Sequence, residues 1–166
     1  MNSRLLASRM AASVLAVTLS LPTLGAQSET GSPFKGAFDG KFTGAVEGPI
    51  LRATGGGAGT ATLIGPFTYT EKTTVDLPTG LATAGTFQFL LANGDTITAV
   101  FVGRAVSDVP KGSYFVGLYT ITGGTGRFQR ATGTLTMHRY FDDTNIPAFN
   151  LGWSHFSGRI DAPGLK

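Results

Sequence analysis

The stretch FQFLLANGDTITAVF, residues 87–101, contains two runs of alternating apolar residues on either side of a short polar turn. In an antiparallel hairpin, a shift of one residue moves every side chain to the opposite face of the sheet. A two-residue loop would pair Phe89 with Thr98 and place Ile97 on the wrong face. A three-residue loop with Gly94 in the left-handed region pairs Phe89 with Ile97. The pattern therefore predicts a β-hairpin with a bulged turn.

The same period-two alternation continues on both sides of this hairpin, and the links between segments are short and rich in Gly, Pro and Asn. An open sheet of this size would leave two unpaired edges, which closure into a barrel removes. The sequence therefore predicts an all-β protein, an eight-stranded antiparallel up-and-down barrel. We predict strands at residues 37–47, 57–64, 66–76, 82–92, 95–105, 113–122, 131–141 and 152–161.

The large apolar residues of each predicted strand alternate with small or polar ones, and this alternation assigns an inward face. The 24 glycines and the absence of cysteine mean that burial and sheet closure must stabilise the fold without disulfides. The predicted core consists of Phe38, Phe42, Val46, Phe67, Tyr69, Val75, Phe87, Phe89, Leu91, Ile97, Ala99, Phe101, Phe115, Tyr119, Ile121, Leu135, Met137, Phe141, Phe156 and Ile160.

The first 26 residues have the features of an export signal. Arg4 and Arg9 come before an apolar stretch over residues 10–21, and small residues at Gly25 and Ala26 suit a cleavage site. A stretch of about 12 residues is too short to span a bilayer. We therefore expect cleavage after Ala26, a secreted protein in the periplasm or outside the cell, and no membrane span once the signal is removed.

Residues 27–36 are interpreted as a flexible lead and residues 37–166 as a single β-barrel domain. Removal of the signal leaves 11 basic against 10 acidic side chains, a balance that does not suggest a nucleic-acid partner. A Gly-rich run at residues 54–59 lacks the ending of a phosphate-binding loop, and no nucleophile elbow is present. Nucleotide-dependent enzymes and serine hydrolases are therefore not supported.

Residues 121–133, ITGGTGRFQRATG, resemble the Gly-Gly-Thr-Gly-x-Phe-x-x-Ala-x-Gly turn of allene oxide cyclase-like and dirigent-like barrels. Residues 56–63, followed by 65–68, resemble an earlier element of secreted bacterial proteins related to that family. The resemblance implies a calycin-like barrel, often trimeric, with an interior that holds a small apolar molecule. It does not imply a reaction. Phe128 is expected to plug one barrel end.

Two charged residues fall on the predicted inward face, Glu71 and Arg139. A carboxylate and a guanidinium in an apolar barrel could orient a polar ligand group or stabilise charge in a cyclisation. Alternatively, they form an ion pair that closes the barrel rim. The candidate ligand-binding residues are Glu71, Arg139, Tyr69, Tyr119, Phe89 and Met137.

Four residues of the last two strands fall on the outward face if the final hairpin turns about Ile146-Pro147. His138 would then lie opposite His155, and Tyr140 opposite Trp153. An exposed aromatic patch of this kind suggests a subunit contact in a homodimer or homotrimer. Two histidines are too few for a zinc site without a third donor, so we expect no metal and no cofactor.

Three classes of function remain open. The first is a secreted barrel that binds a small apolar or amphipathic molecule in its interior. The second is a cofactor-free cyclase or isomerase that holds a reactive substrate in a shaped cavity. The third is a structural or interaction protein of the cell envelope with a filled core and no ligand. The lining and filling of the barrel interior distinguish them.

Overall fold

A computed structural model describes residues 30–108, 112–141 and 148–165. In these residues eight antiparallel strands form a closed up-and-down barrel in which each strand pairs with the next and the last pairs with the first. The predicted all-β, eight-stranded antiparallel barrel is therefore confirmed. The strands are β1 (Ser32–Glu47), β2 (Ile50–Ala61), β3 (Gly65–Asp76), β4 (Leu81–Leu91), β5 (Thr96–Asp108), β6 (Gly112–Gly124), β7 (Thr132–Phe141) and β8 (Ala148–Asp161).

The β4–β5 hairpin has the predicted bulged turn. Phe89 pairs with Ile97, and both side chains are fully buried. The Leu91 N–H donates a hydrogen bond to the Asp95 carbonyl at 2.9 Å, which closes a three-residue loop. Gly94 has φ +85°, the left-handed conformation that glycine adopts readily. The hydrophobic pattern thus sets the register of this hairpin.

The first strand begins earlier than predicted. Since β1 starts at Ser32, residues 32–36 are strand, and the expectation of a flexible lead up to residue 36 is wrong for them. The cause is Phe34, whose buried ring lies 5.1 Å from that of Phe156 and 5.8 Å from that of Phe89. The predicted signal, residues 1–26, lies outside the described residues and stays a prediction.

The second strand also begins earlier, at Ile50 instead of residue 57. The glycine run in this region suggested a loop because glycine weakens isolated strands. In the barrel, however, Gly55 pairs with Phe42, and a Cβ on Gly55 would overlap the Phe42 ring. Gly55 and Gly59 of β2 therefore make room for the rings of Phe42 and Phe67.

Rings lying over glycines recur around the barrel. A Cβ on Gly85 would overlap the Phe101 ring, and one on Gly103 would overlap the Phe115 ring. Neighbouring rings are in contact, with centroids as close as 4.4 Å between Phe101 and Tyr119. The buried rings of the described residues are Phe34, Phe38, Phe42, Phe67, Tyr69, Phe87, Phe89, Phe101, Phe115, Tyr119, Phe128 and Phe156.

Three members of the predicted core differ from expectation. Val46 is 47% exposed because it lies close to the β1–β2 turn, beyond Phe42, the last buried residue of its strand. Val75 and Phe141 are only half-buried and pack against the edge of the core. Alternation assigned their face, but it carries no information about where along each strand the barrel core ends.

The two ends of the barrel differ. At one end a 3-10 helix, Gly126–Phe128, places the fully buried Phe128 under the sheet, as the turn motif implied. A second 3-10 helix, Pro163–Leu165, packs against the first. We call this the closed end. In the described residues, the opposite end, which we call the mouth, is bordered by half-buried side chains, including Val75, Ala105 and Phe141. Residues 109–111 and 142–147, which connect strands at this end, lie outside the described residues.

Candidate functional site

An ion pair crosses the barrel interior within the cluster of buried rings. Glu71 on β3 and Arg139 on β7 come from strands that are four apart in a closed barrel of eight, so they approach from opposite walls. Arg139 Nη1 donates a hydrogen bond to Glu71 Oε1 at 2.6 Å, and Nη2 contacts Oε2. Each residue is only 3% exposed. The alternation argument correctly placed both side chains inside the barrel.

Aromatic rings surround the guanidinium of Arg139. Nη2 also donates a hydrogen bond to the hydroxyl of Tyr119. The quadrupole of an aromatic ring attracts a cation that lies within about 6 Å of its centroid. Six ring centroids lie 5.4–5.9 Å from Arg139 Cζ, those of Phe38, Phe42, Phe87, Phe101, Phe115 and Tyr119.

Burial and pairing determine the protonation of this cluster. Burial raises the pKa of the Glu71 carboxyl, and the positive charge of Arg139 partly opposes that rise. Burial by itself would lower the pKa of Arg139, but the charge and hydrogen bond of Glu71 together with Tyr119 and Tyr69 outweigh burial, and the pKa is raised. Burial also raises the pKa values of Tyr69 and Tyr119, so both hydroxyls stay protonated. The site therefore contains a guanidinium and two phenol donors.

Several buried polar atoms of this cluster have no hydrogen-bond partner among the described residues. They are Tyr69 OH, Thr73 Oγ1, Glu71 Oε2 and Arg139 Nε, although Oε2 contacts Arg139 Nη2. Tyr69, Glu71 and Thr73 occupy consecutive inward positions of β3, so their polar groups follow the barrel wall towards the mouth. Unpaired buried polar atoms are rare in folded proteins, because each costs about 1–3 kcal/mol.

The structure brings together five of the six candidate ligand-binding residues. Tyr69 and Tyr119 flank the ion pair, and Met137 Sδ lies 4.0 Å from Arg139 Nη2. Phe89 is buried but belongs to another part of the core, where its ring contacts those of Phe34, Phe67, Phe87 and Phe156. It takes no part in the ring cage around Arg139.

Sequence reasoning missed two components of this site. Thr73 lies two residues beyond Glu71 on the same strand, so alternation could have identified it as an inward polar residue. The convergence of six rings on one guanidinium has no local sequence signal, since the rings come from four strands. It follows only from closure of the barrel.

The structure also brings together the four residues predicted on the outward face. We call them the aromatic patch: His138, Tyr140, Trp153 and His155. His138 pairs with His155 in register, and their stacked ring centroids lie 5.0 Å apart. The Trp153 centroid lies 4.8 Å from that of His155 and 6.1 Å from that of Tyr140. Trp153 is nevertheless 66% exposed. The turn at residues 146–147 lies outside the described residues.

Within residues 30–108, 112–141 and 148–165, no three His, Cys, Asp or Glu side chains gather as a metal site would require. The described part of the chain also contains no helix long and apolar enough to cross a membrane.

Searches of protein-family models, of curated proteins and of solved structures find no match to this chain. The resemblance of residues 121–133 to allene oxide cyclase-like and dirigent-like barrels therefore stays an expectation. The candidate site is described by its own geometry alone.

Proposed function

We propose that the barrel binds a small amphipathic molecule whose polar group sits at the Glu71–Arg139 pair. The observation that carries the proposal is the set of unpaired buried polar atoms, Tyr69 OH, Thr73 Oγ1 and Arg139 Nε, beside that pair. A ligand group that accepts and donates hydrogen bonds would satisfy them. Binding sites of this kind combine an apolar lining with a few convergent polar groups.

The charge of the site favours a neutral polar group. The carboxylate of Glu71 already balances the guanidinium of Arg139, so an anionic ligand would compete with Glu71 in a desolvated interior. A hydroxyl, ketone or amide group has no such cost. The proposed ligand class is therefore an apolar molecule with a neutral hydrogen-bonding head.

The ligand would enter through the mouth. The closed end is covered by the two 3-10 helices and the buried Phe128. Towards the mouth, by contrast, the inward positions around the ion pair are small at Ala53, Ala82 and Ala105. We therefore expect a ligand to approach the guanidinium from that side, past the half-buried Phe141.

Fluorescence of N-phenyl-1-naphthylamine, a neutral amphipathic probe, tests the proposal. We expect its emission to rise on binding, and decanol to displace it at least tenfold more effectively than decanoate. The variant Thr73→Val, which removes one unpaired hydroxyl with little change in size, should weaken decanol binding. Its matched control is Thr74→Val, on the neighbouring position of the same strand. Failure of the probe to bind, or equal displacement by decanoate, would contradict the proposal.

A cofactor-free cyclisation or isomerisation would be a narrower form of the same proposal. Arg139 and the Tyr119 hydroxyl would then stabilise negative charge that develops on a substrate oxygen. Turnover of a bound compound would be required in addition to binding.

A second candidate function is an interaction protein of the cell envelope with a filled core, and the ring contacts along the barrel favour it. In this case the outer surface of the barrel makes the functional contacts, and the aromatic patch packs against a second copy of the chain. Exposed Leu118 on the adjoining strand β6, and exposed Val102 opposite it on β5, would extend that apolar contact. A protein that binds no neutral probe but self-associates would support this candidate.

A further inference from the structure

A groove runs along the outer face of the barrel beside the aromatic patch. Its volume is about 1160 Å³, and it crosses β1 and β2 and extends to β3. Trp153 of β8 stands at one side, next to β1, where the bulge in β8 lies opposite Asp39. The exposed side chains of the groove, those of Asp39, Lys41, Thr60, Thr68 and Trp153, lie on the outer side of the barrel wall. Phe38, which also borders the groove, points inwards and belongs to the ring cage around Arg139.

The floor of the groove is nearly bare. The outward positions of β2 here are Gly56 and Ala58, which contribute no side chain larger than a methyl group. On β1 the outward residues opposite Gly56 and Ala58 are Lys41 and Asp39, and Ala37 lies further along, opposite Thr60. A protein partner that buries its anchoring side chains needs apolar pockets or large apolar contacts. This floor offers a flat surface instead.

The rim of the groove is polar and electrically balanced. Asp39 supplies a carboxylate and Lys41 an ammonium group, while Thr60 and Thr68 supply hydroxyls. One charge of each sign favours a neutral ligand over a polyanion such as nucleic acid. The groups are hydrogen-bond donors and acceptors that suit a ligand with many hydroxyl groups.

We propose that this groove binds a neutral glycan chain, with a sugar ring stacked on Trp153. A pyranose has an apolar face of C–H groups and an edge of hydroxyls, so it requires an exposed aromatic ring beside polar side chains. Trp153 meets the first requirement, being 66% exposed, and Asp39, Lys41 and Thr68 meet the second. The flat floor accommodates a chain of several sugars.

Titration with cellohexaose and chitohexaose tests the proposal through the fluorescence of Trp153, the sole tryptophan of the chain. We expect a saturable change in emission with at least one of these sugars. Binding of the variants is measured by affinity electrophoresis in gels containing soluble polysaccharide. Trp153→Ala and Ala58→Arg, which fills the floor, should each weaken retention at least tenfold.

The matched control is Ala84→Arg, at an exposed position of β4 outside the groove. It should bind sugar like the unmodified protein, and circular dichroism should show that all three variants are folded. Asp39→Asn provides a milder test, with an expected loss of a few fold. The proposal is wrong if neither sugar changes Trp153 emission, or if Ala58→Arg binds normally. It is also wrong if Ala58→Arg abolishes self-association and no sugar binds, since the groove would then be a subunit contact.

Discussion

Arg139 on β7 hydrogen-bonds to Glu71 on β3 across the barrel interior, with 2.6 Å between Nη1 and Oε1. Because the two strands lie on opposite walls, the pair joins two strands that share no backbone hydrogen bonds with each other. Neither charge could be buried alone without a cost of several kcal/mol. The pair is therefore both a structural cross-link and the polar centre of the candidate site.

The ion pair should show strong energetic coupling. Arg139→Met leaves an uncompensated buried carboxylate, so we expect a loss of about 3–5 kcal/mol in the free energy of unfolding. The double variant Glu71→Gln with Arg139→Met should recover part of that loss, since both charges are removed. Denaturant unfolding of the single and double variants measures the coupling.

The exposed pair of Arg52 with Glu47 is a matched control for this cycle. Its Nε–Oε2 distance is 3.2 Å, but both side chains are more than 60% exposed, so the same substitutions there should show little coupling. If the effects of changing Glu71 and Arg139 simply add, the proposed cross-link is absent.

The packing of rings over glycines predicts a paired effect at Gly85 and Phe101. Gly85→Ala introduces a methyl group where the Phe101 ring lies, and the expected loss is about 1–3 kcal/mol of unfolding free energy. Phe101→Leu should be less damaging in the Gly85→Ala background than in the unmodified protein, because it vacates part of that space. Thermal unfolding compares the two backgrounds, and equal losses in both would contradict this packing.

In the second candidate function the aromatic patch mediates self-association, and Trp153 then packs against a second copy of the chain instead of a sugar. Tyr140→Asp places a charge beside Trp153 and should raise the dissociation constant of the oligomer at least tenfold. Leu90→Asp, at a 46% exposed position on β4, is the control and should have little effect. Sedimentation equilibrium measures both variants. A monomeric unmodified protein would show that this surface is not a subunit contact.

The stacked histidines predict a pH dependence. Burial and the neighbouring His138 lower the pKa of His155 below its usual 6.5. The stability contributed by neutral His155 is then complete above pH 6.5 and is lost as the pH falls through the lowered native pKa. NMR titration of the ring protons should give a value below 6.5, and His138→Asn should raise it. A native value at or above 6.5 would contradict the stacked arrangement.

The sequence predicts those features of this barrel that depend on side-chain alternation. The register of Phe89 with Ile97 and the inward placement of Glu71 and Arg139 both follow from the period of two. The start of β2 could not be predicted from alternation, because glycine has no side chain that alternates. The role of these glycines depends on rings from neighbouring strands. The exposure of Val46 similarly depends on where the barrel ends, which is a property of the closed sheet.

Binding of a neutral amphipathic molecule in the barrel interior beside the ion pair should change the environment of the Met137 methyl group, and its NMR signal is the test. Met137 is the sole methionine among the described residues, and its Sδ lies 4.0 Å from Arg139 Nη2. In protein labelled with ¹³C at the methionine methyl and ¹⁵N at the tryptophan indole, decanol should shift the Met137 signal saturably. The Trp153 indole signal, on the outer surface, should stay in place. A shift of Trp153 alone, or no shift of Met137 at saturating decanol, would contradict the account.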